Sequence, residues 1–127
     1  MDPLEEAAMT DAELDATFSA LADPTRRAIV ARLAHGDATV TELAAPFAMS
    51  LPAISRHLKV LEHAGLITRG RDAKKRPSSL RTAALVDVTR WVEHTVHAWE
   101  ARLHRLDEFL KQEKDDDATD RDLGNGA

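Results

Sequence analysis

A mainly α-helical fold, with about five helices and a two-stranded β-hairpin, is what this 127-residue sequence predicts. Three observations carry the expectation. Capping residues repeatedly precede apolar positions set at helical spacing. The period changes once, after Gly65. A single long apolar stripe then runs through the last third of the chain. At 43% apolar and 31% charged residues the chain can build a core, and its length suits one domain.

Each element has its own signal. Thr10-Asp11-Ala12-Glu13 is a capping box ahead of Leu14, Phe18 and Leu21. Asp23-Pro24 restarts the chain, with Asp as cap and Pro at the first helical position. That helix should bury Ile29, Val30 and Leu33 and stop at Gly36. Thr39-Val40-Thr41-Glu42 opens a short helix through about Phe47, with Pro46 late in it. Ser50 caps the next helix, which carries Pro52 in its first turn and ends at Ala64-Gly65. Leu66–Arg71 and Ser79–Thr82 are the predicted strands, with Pro77 at the start or edge of the second. One helix then runs from after Thr82 to about Lys111. Residues 1–10 and 111–127 are expected to be acidic tails, the latter disordered for want of large apolar side chains, so the folded part is 11–110.

Charge is distributed unevenly. Residues 51–90 hold nine Lys/Arg and three acids, a local charge of +6, while the rest of the chain carries −11. That asymmetry points to a polyanion partner at a defined place, despite a net charge of −5. The helices on either side of Ala48-Met49-Ser50 form a helix-turn-helix pattern. At 100° per residue, Leu51, Ile54, Leu58 and Leu61 fall on one stripe of the second helix. Pro52, Arg56, Lys59 and His63 fall on the opposite one, with Ser55 at its margin. An isolated helix of this kind would simply present a solvated charged face. Here a hairpin tipped by Lys74-Lys75-Arg76 follows directly, which makes a winged helix-turn-helix. The expected partner is double-stranded DNA. The predicted contacts are Ser50, Pro52, Ser55, Arg56, Lys59 and His63 in the groove, with Arg71, Lys74, Lys75 and Arg76 on the backbone.

At these residues the sequence resembles the ArsR/SmtB family of bacterial winged-helix repressors. The resemblance rests on Phe18-Ser-Ala-Leu-Ala-Asp-Pro-Thr-Arg-Arg-Ala-Ile29, Thr41-Glu-Leu-Ala44 and Ser50-Leu-Pro-Ala-Ile-Ser-Arg-His-Leu-Lys-Val-Leu-Glu-His-Ala-Gly-Leu-Ile67, and it covers about residues 14–110. It implies a homodimeric repressor on an operator, with 51–64 as recognition helix and 66–82 as wing. The end of the chain, with Trp91 and Trp99-Glu-Ala-Arg-Leu103, is similar to the small repressors of the family that lack a metal site. Family sensors of arsenic, cadmium or lead usually carry Cys-x-Cys in the helix before the turn. This chain has Glu42-Leu-Ala-Ala-Pro46 there and no Cys at all, which removes a thiolate sensor.

In the last helix Leu85, Val88, Val92, Val96, Trp99, Leu103, Leu106 and Leu110 fall within an arc of about 80°. A stripe so narrow and long suits a helix–helix seam. Residues 85–110 span about 39 Å at the standard rise, more than a small winged core covers. A second copy is the simplest cover, with Leu14, Phe18 and Leu21 of the first helix alongside, which gives a two-fold dimer and an imperfectly palindromic target.

Other readings are weaker. A zinc-responsive repressor would use His94 and His97, but Arg81, Thr82 and Ala83 stand where the family's early Asp-x-His pair would be. A winged-helix module that grips a protein instead of DNA is the remaining alternative, which the basic face and hairpin disfavour. No Gly-rich phosphate loop and no Ser–His pair with an orienting acid is present, so neither an enzyme nor a cofactor is expected. The longest uncharged run, Leu43–Ser55, holds two prolines and is too short to span a bilayer. With an acidic start at Met1-Asp2-Pro3-Leu4-Glu5-Glu6, a cytoplasmic protein is expected.

Overall fold

Thr10 accepts a hydrogen bond from the Glu13 amide at 3.1 Å, which opens α1 (Asp11–Leu21). The computed structural model describes residues 9–70 and 77–125, with side chains as far as 118. Asp23 caps α2 (Pro24–Leu33) and Thr39 caps α3 (Val40–Ala44) through a complete capping box with Glu42. Ser50 caps α4 (Leu51–His63), and Gly65, at φ 77°, turns the chain out of it. The strands are β1 (Ile67–Arg69) and β2 (Ser78–Leu80), and α5 (Ala83–Asn125) follows.

The hairpin is antiparallel, pairing Ile67 with Leu80, Thr68 with Ser79 and Arg69 with Ser78. Ala38 adds an isolated bridge to Ser78 with bonds of 2.8 and 3.2 Å, which ties the loop before α3 to the hairpin. At the neck the Gly70 amide donates to the Pro77 carbonyl at 2.8 Å. A Cβ on Gly70 would stand 2.8 Å from the Pro77 ring, so the two chains close only around glycine.

The chain divides into two compact units, Met1–Thr89 and Arg90–Ala127. In the first, Ile29, Leu33, Leu43, Ile54, Leu58, Leu61, Leu66 and Ile67 form a single core of fully or nearly fully buried side chains. At about 1.5–3 kcal/mol for each large apolar side chain buried, α4 is held to this core mainly by Ile54, Leu58 and Leu61. The second unit is helical, and every residue from 90 to 118 is exposed in the single chain.

Four expectations need correction. α3 stops at Ala44 instead of Phe47, because Pro46 offers no amide and disfavours helical backbone at the residue before it. The strands are three residues each, shorter than predicted by the apolar pattern. Leu51 is 50% exposed and does not join the buried stripe of α4. It is the first residue of the helix, and helical side chains tilt toward the N-terminus, so it projects past the packed length. Finally, α5 continues beyond Lys111 to Asn125, through the segment expected to be disordered. Extending an existing helix avoids the cost of nucleation, and within the extension Gln112 donates to Asp116 at i,i+4, at 3.5 Å. Among the described residues no helix is long and apolar enough to cross a membrane.

Candidate nucleic-acid interface

α4 carries the site. With Ile54, Leu58 and Leu61 locked into the core, its opposite face turns outward. Pro52, Arg56, Lys59 and His63 are exposed, and Ser55 is half-buried at the margin. Arg56, Lys59 and His63 make no hydrogen bond or ion pair with any other described residue. Cations without protein partners keep their donors for phosphates or base edges, where charge-assisted bonds are strongest. Ser50 spends its hydroxyl on the helix cap, accepting from the Ala53 amide at 3.3 Å. The wing's Arg71, Lys74, Lys75 and Arg76 lie outside the described residues, while β1, β2 and the Gly70–Pro77 closure form the base from which that segment departs.

The anchoring of α4 lies outside the expectations from sequence. His57, the residue after Arg56, does not join the outward face. The ring Nδ1 lies 3.3 Å from Arg26 Nη1 and 3.9 Å from Asp23 Oδ2, in the corner between α1 and α2. Arg26 also donates from Nε to the Ala20 carbonyl at 2.7 Å and from Nη2 to the Ser19 carbonyl at 3.1 Å. Arg27 reaches the Leu21 carbonyl at 2.8 Å. α1 has neither a basic residue in its last turn nor a glycine after it, so these arginines supply donors to its otherwise orphaned carbonyls. That need was visible in Leu21-Ala-Asp-Pro-Thr-Arg-Arg27: a helix end without glycine followed by two arginines.

Two carboxyls respond to this local order. The Arg26 amide, with His57 and the Arg26 charge, holds Asp23 below its ordinary value against a smaller opposing effect of burial. Glu42 is likewise lowered, first by the Thr39 amide and hydroxyl and then by Arg32.

The proposed seam residues differ in surroundings. Leu14, Leu21, Leu85 and Val88 are half-buried, and Phe18 is 39% exposed. Val92, Val96, Trp99, Leu103, Leu106 and Leu110 are all exposed, together with Trp91 and Phe109, which the helical wheel did not pick out. Arg102 lies over the Trp99 ring at 5.8 Å. Among the described residues no three His, Asp or Glu side chains gather to hold a metal, and His97 faces Glu100 at 3.8 Å.

Comparison with known proteins agrees with this architecture. The profile of a helix-turn-helix domain matches residues 21–70, from the end of α1 to the wing's base. The transcriptional repressor SdpR of Bacillus subtilis is 40% identical over 75 residues, 59% of this chain and 83% of SdpR. A crystal structure of the ArsR family transcriptional regulator RHA00566 superposes with a TM-score of 0.70 at 39% identity, covering 73% of this chain and 96% of that one. The chain belongs to the ArsR family. Another relative, the helix-turn-helix regulator Rv2034 of Mycobacterium tuberculosis, is 48% identical over 75 residues, 59% of this chain, and the match spans 64% of that regulator's length. The chain is thus a winged helix-turn-helix DNA-binding regulator of that family, and the matched helix-turn-helix profile takes in the whole of α4.

Proposed function

We propose that this protein is a homodimeric transcriptional repressor that binds an imperfectly palindromic operator in the cytoplasm. α4 enters the major groove, and the wing lies along the phosphates. Ser55 and Arg56 read base edges; Ser50, Pro52, Lys59 and His63 contact the groove walls; Arg71, Lys74, Lys75 and Arg76 hold the backbone. The observation that carries this reading is the set of exposed Arg56, Lys59 and His63 opposite the buried stripe of α4, which have no hydrogen bond or ion pair among the described residues. SdpR, similar over most of its length, is a repressor. A second copy covers the exposed stripe of α5, with Leu14, Phe18 and Leu21 of α1 beside it, and sets two recognition helices about one DNA turn apart.

The test is the salt dependence of duplex binding. Affinity for a duplex recovered by selection with this protein should fall steeply with salt, by a log–log slope of about 0.9 for each phosphate neutralised. A slope near zero would refute DNA binding through this face.

A further inference from the structure

Arg26 is the hub of three elements. Its guanidinium holds the end of α1 through the Ser19 and Ala20 carbonyls, and its amide donates to the Asp23 cap at 3.0 Å. Its remaining contact, Nη1 to His57 Nδ1, is a direct polar tether from this corner to the recognition helix. Arginine has donors only, so a hydrogen bond at this contact uses the Nδ1 lone pair, which is the tautomer with the ring proton on Nε2.

We propose that Arg26 and His57 are positioning residues for sequence reading: the guanidinium fixes the pitch of α4 through a neutral imidazole, and protonating that imidazole undoes the specific fit. The proposal rests on the DNA-binding reading above. His57 stands one residue after Arg56, and its side chain is only 19% exposed, so a change in its tether moves the reading face directly. A proton taken from solvent onto Nδ1 turns the acceptor into a donor. The bond from Arg26 is lost, and Asp23 Oδ2, 3.9 Å away, is the carboxylate that faces the new donor. The charged groups facing His57 are Asp23 and Arg26 from the corner and Arg56 of α4, which lines the same small cleft with Ala53 and Val60. α1 contributes carbonyls there, and among the described residues α3 and β1 send His57 no ion pair or hydrogen bond. Wing and phosphate contacts do not pass through this tether, so specific binding is weakened while general affinity for DNA is kept.

The experiment measures affinity for two duplexes of equal length, one recovered by selection with the unaltered protein and one scrambled. All proteins carry His63→Gln, which removes the other exposed imidazole from the reading face. Binding is measured at about pH 8 and about pH 5.5, either side of the range in which imidazoles titrate. The parent should lose about tenfold of its preference for the selected duplex on acidification. His57→Asn places an unprotonatable acceptor near the Nδ1 position and should keep its preference at both pH values. His57→Leu and Arg26→Lys should lose about tenfold at both, with affinity for the scrambled duplex unchanged. A preference that is the same in His57→Leu as in the parent, or affinities for both duplexes that fall together, would overturn the proposal. If no protein prefers either duplex at any pH, the DNA-binding reading fails. The tether is then judged on the full-length protein by the ring nitrogens of His57 at about pH 8: a lone-pair Nδ1 supports it, and a protonated Nδ1 overturns it.

Discussion

Replacing Arg56 with Ala isolates reading from folding. The side chain is exposed, and among the described residues it makes no hydrogen bond or ion pair. Its loss should therefore leave stability within about 0.5 kcal/mol. A guanidinium that grips a guanine edge with two bonds is worth about 1–3 kcal/mol of discrimination. At 1.4 kcal/mol per tenfold, specific affinity should fall roughly 5- to 150-fold. Fluorescence anisotropy at fixed salt, with the selected duplex and each of its single base-pair variants, reads this directly. Arg56→Ala should weaken the selected duplex and flatten the base preference at one position in each half-site. An unchanged preference profile, or equal weakening of selected and scrambled DNA, would show that Arg56 contacts only phosphate.

Other perturbations test the scaffold. Leu58→Ala removes a fully buried side chain from α4 and should destabilise the fold by about 2–5 kcal/mol in urea titration. Trp99→Ala should loosen the dimer, seen as a lower sedimentation coefficient at micromolar concentration; an unaltered dimer would contradict the seam. Asp23 and Glu42 have lowered values in the folded chain, so the stability they contribute is fully present above the ordinary carboxylate range and is lost as pH falls through their depressed values. Resistance to urea should hold from neutral pH to about pH 5 and fall below about pH 4, less steeply in the Asp23→Asn, Glu42→Gln double variant.

The helices of the first unit were legible because capping and apolar spacing agreed. Asp23-Pro24, Thr39 with Glu42, and Ser50 each begin a helix where predicted, and Ile54, Leu58 and Leu61 are buried as their 3.6-residue period requires. The outward face of α4 follows from the same geometry. The partnership of Arg26 with His57 joins residues 31 apart in sequence, and no local period reports it. The far end of α5 shows that a lack of large apolar residues does not by itself prevent helix. A helix already nucleated upstream is cheaper to extend than to start, and α5 continues through a segment that holds five Asp residues, themselves weak helix formers. Leu51 shows the complementary error, where an apolar residue in correct phase sits at a helix end beyond the reach of the core.

Hydroxyl-radical and methylation footprinting of the selected duplex tests most directly whether one cationic surface is presented twice by symmetry. Two protected major-groove patches on one side of the helix, about 34 Å apart and related by a dyad, are the expected pattern. A single patch, or two patches on opposite sides of the duplex, would contradict it.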